Sequence, residues 1–199
     1  MVKIKICGLS LLCDIEAVNE IKPEYIGFVF AESRRRVTPA QAEKLRTELS
    51  PDIMPVGVFV NETVEKIIPL IRNGIIDAVQ LHGDETEKYI ETLKSLTDKP
   101  VIKAISVLKA GDVQKWTDTC ADYLLLDSKG GGTGQSFDWD VIGEVHREFF
   151  LAGGLNFENI QSAVLKTKPF AVDVSGGVET DGVKDREKII SIIRRVRNE

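Results

Sequence analysis

The stretch Phe149-Phe150-Leu151-Ala152-Gly153-Gly154-Leu155 sets out a pattern that returns in Ala171-Val172-Asp173-Val174-Ser175-Gly176-Gly177-Val178. Each is a short apolar run that ends in a glycine pair. Between them Asn156 opens a segment with Ile160, Ala163 and Val164 at helical spacing. Strand, helix, strand is the parallel crossover unit, and near-continuous hydrophobicity marks strands buried on both faces.

Working outward, the same alternation fills the chain. Apolar runs rich in β-branched residues fall at 4–7, 25–30, 55–60, 78–82, 101–107, 123–127, 149–151 and 171–174. Helix-period segments separate them. Thr38-Pro39 supplies an N-cap and an N1 proline ahead of Ala42, Leu45 and Leu49. Asn61 precedes a stripe of Val64, Ile67, Ile68 and Ile71, in which Pro69 predicts a kinked or shortened helix. Asp84 with Glu87 has the spacing of a capping box before Ile90 and Leu93. The last helix carries Ile189, Ile190, Ile192, Ile193 and Val196, with Arg194, Arg195 and Arg197 at its negative C-terminal end. Eight βα repeats predict an α/β fold, a (β/α)8 TIM barrel, with residues 1–199 forming one domain. At 199 residues the chain is short against the roughly 250 typical of that fold, so its helices must be brief and its loops tight.

Composition narrows the function. With 26 Lys and Arg against 31 Asp and Glu, the net charge is −5, which gives no basic field for nucleic acid. Apolar runs are of strand length, far below the roughly 20 residues of a membrane span, so no membrane partner is expected. Cys7, Cys13 and Cys120 are odd in number and lack metal-site or disulfide spacing. No metal and a reducing cytoplasm are therefore the expectation, with Cys13 and Cys120 as packing residues.

In a TIM barrel the site lies at the C-terminal strand ends, so polar residues closing apolar runs are its candidates. Cys7, His82, Asp127 and Asp173 qualify. A thiol can act as a base and a partly desolvated carboxyl as an acid, which makes Cys7 and Asp127 a candidate pair. His82 is either a scaffold histidine or a substrate contact, and Asp173 a brace for a neighbouring loop. Gly153-Gly154 and Ser175-Gly176-Gly177 follow the seventh and eighth strands, where barrels present backbone N–H groups to a phosphate. The glycine-rich stretch 130–134 is a lid or a further phosphate contact. Arg34-Arg35-Arg36 is either a solvated patch or a grip for a carboxylate. The residues alone thus indicate a barrel that moves protons on a small phosphorylated, anionic substrate, or one that binds such a metabolite without turnover.

At these positions the chain resembles the phosphoribosylanthranilate isomerase family of tryptophan biosynthesis. The resemblance is carried, in order along the whole chain, by Lys5-Ile6-Cys7-Gly8-Leu9, Gly27-Phe28-Val29-Phe30, Val56-Gly57-Val58-Phe59-Val60-Asn61 and Val79-Gln80-Leu81-His82-Gly83-Asp84-Glu85. It continues through Leu126-Asp127, Gly132-Thr133-Gly134 with Phe137-Asp138-Trp139, Ala152-Gly153-Gly154-Leu155-Asn156 and Val172-Asp173-Val174-Ser175-Gly176-Gly177-Val178-Glu179. It implies an Amadori rearrangement of N-(5-phosphoribosyl)anthranilate without a cofactor, Asp127 serving as general acid and Cys7 as general base. It further implies that Arg35 meets the anthranilate carboxylate, that His82 contacts substrate, and that Gly153, Gly154, Ser175, Gly176 and Gly177 hold the phosphate. Either a monomer or a homodimer is compatible with this length.

Overall fold

The computed structural model describes residues 1–128 and 138–198. Eight parallel strands close into a barrel in chain order. They are β1 (Lys3–Cys7), β2 (Tyr25–Val29), β3 (Met54–Phe59), β4 (Ala78–Leu81), β5 (Val101–Ser106), β6 (Tyr123–Asp127), β7 (Phe149–Leu151) and β8 (Ala171–Val174). Outside lie α1 (Leu12–Ile21), α2 (Pro39–Glu48), α3 (Val64–Arg72), α4 (Glu87–Leu96), α5 (Ile160–Thr167) and α6 (Arg186–Arg197). The predicted barrel is present, but strict alternation is not. Between β5 and β6 there is only a 3₁₀ turn at Gln114–Trp116, and among the described residues between β6 and β7 only one at Trp139–Ile142. In the first of these connections Val113, Trp116 and Cys120 reach the outer core, but Gly111 is in a left-handed conformation and Asp112 accepts the Leu108 and Lys109 amides, so the chain ahead of that stripe is spent on turns.

Side chains alternate between two cores, as the two-residue period of a strand requires. One core lies between sheet and helices and includes Ile6, Phe28, Val79, Leu126 and Ile193. The other fills the barrel with Tyr25, Val56, Ile102, Leu125 and Phe150. Phe150 meets Tyr25 and Tyr123 edge-on, with ring centroids 5.3 and 5.6 Å apart, and together they plug the N-terminal end. At the opposite end the lining residues are small or polar, among them Cys7, Gln80, Ser106, Asp127, Ala152 and Asp173. The barrel is therefore solid below and open above.

The helix starts partly follow the sequence. Thr38 caps α2 through a reciprocal box with Gln41, and Asp185 Oδ1 accepts the Glu187 and Lys188 amides at the start of α6. Other caps are displaced. Helix α3 follows Thr63, while Asn61 turns into a left-handed conformation and its Oδ1 accepts the Asp84 amide at 2.8 Å. With Pro69 inside it, α3 stops at Arg72, as short as predicted. The Asp84–Glu87 box does not form: Thr86 caps α4, and Glu87 accepts the Cys120 amide instead. Asn156 folds a turn by accepting the Glu158 and Asn159 amides, and α5 begins only at Ile160. Cys120 is half-buried against the outer core, but Cys13 is exposed, which corrects its reading as a packing residue. No helix among the described residues is long and apolar enough to cross a membrane.

One buried ion pair fixes the loops above β3 and β4. Lys103 Nζ donates to Glu85 Oε2 at 2.7 Å and to the Gly83 carbonyl at 2.6 Å. Glu85 also accepts the amides of Asn61 and Gly83 at 2.8 and 2.9 Å. Truncating Glu85 would strand a buried ammonium and leave the Asn61 and Gly83 amides without their acceptor. Glu85→Ala is expected to cost about 3–5 kcal/mol in urea unfolding. Lys115→Ala, which breaks the exposed Lys115–Asp112 pair, should cost less than about 1 kcal/mol. Equal losses in the two variants would show that burial does not set the worth of these pairs.

Candidate active site

A cavity of about 730 Å³ opens at the C-terminal strand ends, and Cys7, Arg35, His82, Asp127, Gly153, Gly154, Ser175, Gly176 and Gly177 all line it. A second concavity of about 680 Å³, bordered by Trp139, Phe149 and Phe170, carries none of these residues. The stretch 130–134 lies outside the described residues.

Cys7 closes β1 with its side chain buried at the base of the cavity. Two residues earlier on the same inward face is Lys5, fully buried, whose Nζ donates to both Asp173 carboxylate oxygens at 3.0 Å. Burial alone would lower the Lys5 ammonium, but the charges of Asp173 and Cys7 outweigh it and raise it, so Lys5 stays a cation. Burial pushes the Cys7 thiol up, with a further rise from Asp173, while Lys5 and Lys184 pull it down. The thiol is therefore the resting form, and its thiolate, when formed, is a stronger base than a free cysteine.

Asp127 closes β6 across the cavity. Its Oδ1 accepts the Ser128 amide at 2.7 Å, and its Oδ2 lies 3.2 Å from His82 Nε2. The Gln80 amide nitrogen sits 3.0 Å from His82 Nδ1. With Gln80 donating to Nδ1, the imidazole hydrogen is on Nε2 and points at Asp127. His82 thus borders the cavity and also holds the carboxyl.

The three arginines separate by burial and partner. Arg36 turns away to Glu32 and does not line the cavity. Arg34 is 60% exposed, whereas Arg35 is 14% exposed and enters the cavity wall. Both reach Glu179, Arg34 through Nη2 at 2.5 Å and Arg35 through Nε and Nη2 at 2.6 and 3.0 Å. Glu179 also accepts from Lys184 Nζ at 2.7 Å. Burial alone would raise this carboxyl, but the hydrogen bonds from Arg35 and Lys184 overcome it and hold it down at about 2.

The two glycine loops lie against each other. A Cβ on Gly177 would stand 2.0 Å from the Leu155 carbonyl oxygen, so no side chain fits there and the backbones after β7 and β8 form one wall. Ser175 Oγ donates to the Cys7 carbonyl at 3.0 Å, and Lys184 Nζ donates to the Ser175 carbonyl at 2.9 Å. The phosphate candidates and the thiol are thereby held in one hydrogen-bonded unit.

Sequence reasoning passed over Lys5, Gln80 and Lys184 and gave Glu179 no role. A signal existed for Lys5 and Gln80: each interrupts an otherwise apolar strand at an inward position, where a polar group must find a partner. Lys184 and Glu179 have no such signal, because their pairing depends on a hairpin after β8.

A family model for N-(5'phosphoribosyl)anthranilate (PRA) isomerase matches residues 4–195. The chain belongs to that family. It is 47% identical to the N-(5'-phosphoribosyl)anthranilate isomerase of Clostridium acetobutylicum over 99% of this chain and 98% of that one. The crystal structure of phosphoribosyl anthranilate isomerase from Thermotoga maritima superposes with a TM-score of 0.92 at 38% identity, covering all of both chains. A member of the family in complex with reduced 1-(o-carboxyphenylamino)-1-deoxyribulose 5-phosphate superposes at 0.87 with 36% identity, again over both full chains.

The state of the Cys7 thiol gives a direct check. Iodoacetamide at pH 8 should label exposed Cys13 ahead of Cys7, because burial both shields the Cys7 sulfur and disfavours its thiolate. Labelling of Cys7 should climb about tenfold per pH unit between pH 8 and 9, as expected for a thiol below its pKa. Peptide mass spectrometry reads both sites. Cys7 labelling as fast as Cys13 at pH 8 would contradict the raised value.

Proposed function

We propose that this chain isomerises N-(5-phosphoribosyl)anthranilate to 1-(2-carboxyphenylamino)-1-deoxyribulose 5-phosphate, with Cys7 and Asp127 as the proton-transfer groups. The observation that carries this reading is the placement of a thiol and a carboxyl on opposite walls of one cavity. The same cavity is lined by a guanidinium, which stands beside the glycine loop after β8, and by a second glycine loop after β7.

The proton accounting is simple. The resting Cys7 thiol first passes its proton through solvent to the Asp127 carboxyl, and Asp127 then gives a proton to the ribose ring oxygen. The C1′–O bond breaks, and the anthranilate nitrogen lone pair forms a C1′=N iminium. The C2′ proton is now acidic, and the Cys7 thiolate removes it, leaving a neutral C1′=C2′ enolamine. The enolamine loses its C2′ hydroxyl proton and gains one at C1′, which gives the ketone. At the end Asp127 is a carboxylate and Cys7 a thiol, which is the state the cycle began from. Lys5 and Lys184 favour the thiolate by their charge, and the iminium adds a third positive charge at the moment the base is needed. Because burial makes the thiolate strongly basic, transfer from a carbon acid is downhill relative to an exposed cysteine.

The ends of the substrate follow the charges. Arg35 takes the anthranilate carboxylate, for which a planar guanidinium is shaped. Gly153, Gly154, Ser175, Gly176 and Gly177 take the phosphate through backbone N–H groups and the Ser175 hydroxyl. His82 borders the sugar and, through its contact with Oδ2, keeps Asp127 aimed at the ring oxygen. No step calls for a cofactor. Residues 1–199 act as one domain in this scheme. A cytoplasmic setting is supported by the free thiols of Cys7, Cys13 and Cys120, and the active form is a monomer or a homodimer. The Thermotoga maritima relative is described as dimeric, which supports the second.

Anthranilate, phosphoribosyl pyrophosphate and a phosphoribosyltransferase generate the substrate in place, and its fluorescence reports consumption. The protein should accelerate that consumption. Cys7→Ala and Asp127→Asn should each lower kcat by about 10²–10⁴-fold, with KM changed far less. Near-wild-type turnover in either variant would overturn the assignment of that group, and no acceleration by the native chain would overturn the substrate.

A further inference from the structure

We propose that Glu179, held by Lys184, is the positioning residue that aims Arg35 at the substrate carboxylate and so sets the preference for an arylamine that bears one. This rests on the reading of Arg35 given above and extends it to two residues that do not touch the reacting atoms.

The geometry begins with the hairpin after β8. Glu179–Thr180 and Val183–Lys184 form a two-residue antiparallel ladder in which Lys184 is the direct register partner of Glu179. Cross-strand neighbours of opposite charge attract, and here both side chains are almost fully buried, 5% exposed for Glu179 and 3% for Lys184. Lys184 is in turn tied to the Ser175 carbonyl at 2.9 Å. The carboxylate therefore has a fixed position relative to the glycine loop.

Glu179 grips Arg35 from the side. Its two oxygens take the Nε and Nη2 hydrogens at 2.6 and 3.0 Å. A guanidinium has a second usable edge, made by Nη1 and the outer hydrogen of Nη2. Among the described residues nothing else accepts from Arg35, so that outer edge is left to meet a second carboxylate in the same bidentate fashion. The arginine stem is also confined. Gly8 has φ 83°, and a Cβ there would lie 2.5 Å from Arg35 Cδ, so the stem lies directly over the turn that follows Cys7. A Cβ on Gly176 would lie 3.7 Å from Arg35 Nη2, which places the guanidinium beside the loop after β8.

Charge balance shows why Glu179 assists rather than competes. One carboxylate is shared by Arg34, Arg35 and Lys184, which leaves two net positive charges at this corner. A substrate carboxylate adds to a site that is still cationic, and it finds a guanidinium whose orientation is already set. Preorganisation of this kind shows in binding of the charged group rather than in the chemical step.

The test compares two substrates made chemically from ribose 5-phosphate, one with anthranilate and one with aniline, which lacks the carboxylate. The readout is the ratio of their kcat/KM values. Glu179→Gln, which keeps the shape and removes the charge, should reduce that ratio about tenfold, chiefly through KM for the carboxylate substrate. Glu179→Asp, which shortens the reach by one methylene, should give the same selective loss at smaller size and serves if the glutamine variant fails to fold. Arg35→Gln should collapse the ratio as well, and adding Glu179→Gln to it should change the ratio no further. A lower KM for the carboxylate substrate in Glu179→Gln would mean that Glu179 competes for Arg35, and would overturn the proposal. So would an equal loss on both substrates, the mark of a purely structural role. If Arg35→Gln itself leaves the ratio intact, the reading of Arg35 fails and the proposal falls with it.

Discussion

A parallel barrel closes only if its first and last strands pair, and here that seam carries a buried charge. Lys5 and Asp173 are register partners across β1 and β8, both face inward, and Lys5 donates to both carboxylate oxygens at 3.0 Å. Removing one partner would leave the other charged and dry, which is far costlier than the pair is worth. The pair also sits one inward position below Cys7, so the interaction that specifies the closing register supplies the cation beneath the thiol. Stability and chemistry meet at the same two residues.

Above that pair the barrel divides its labour by height. The aromatic plug of Tyr25, Tyr123 and Phe150 fills the lower half with edge-on rings. The upper half is lined by short and polar side chains that leave room for a substrate. Rigidity comes from the connections rather than from the site residues themselves. Lys103 and Glu85 lock the loops around His82, Gly177 presses the β8 loop onto the β7 loop, and Ser175 bonds the β8 loop to Cys7. Groups that must meet within a few tenths of an ångström are therefore carried on strand ends braced from outside, which is what proton transfer demands.

Much of this was legible in the sequence, for physical reasons. Cys7 and Asp127 stand out because a polar residue at the end of a run buried on both faces needs a cause. Asp173 was read as a brace, and it is one, although its partner is Lys5 rather than a loop. Only the family resemblance singles out Arg35 in the sequence, since Glu32 and Glu179 divide the three arginines only once β2 and the hairpin after β8 are folded. Asp84 and Asn156 read as helix starts in the sequence but serve turns in the fold, because a side chain that bonds a nearby amide suits a turn as well as a helix. The absent helix between β5 and β6 was missed because the regular spacing of strands says how much chain is available, not what it forms.

The most direct measurement is a crystal structure of this chain with the reduced 1-(o-carboxyphenylamino)-1-deoxyribulose 5-phosphate seen in its relative. The account predicts the carboxylate on the outer edge of Arg35 and the phosphate on the glycine loops after β7 and β8. The C1–C2 bond of the sugar should lie between Cys7 Sγ and the Asp127 carboxyl, with Glu179 still on the inner edge of Arg35. A ligand bound in the reverse sense, or with its C1–C2 bond out of reach of both groups, would contradict it.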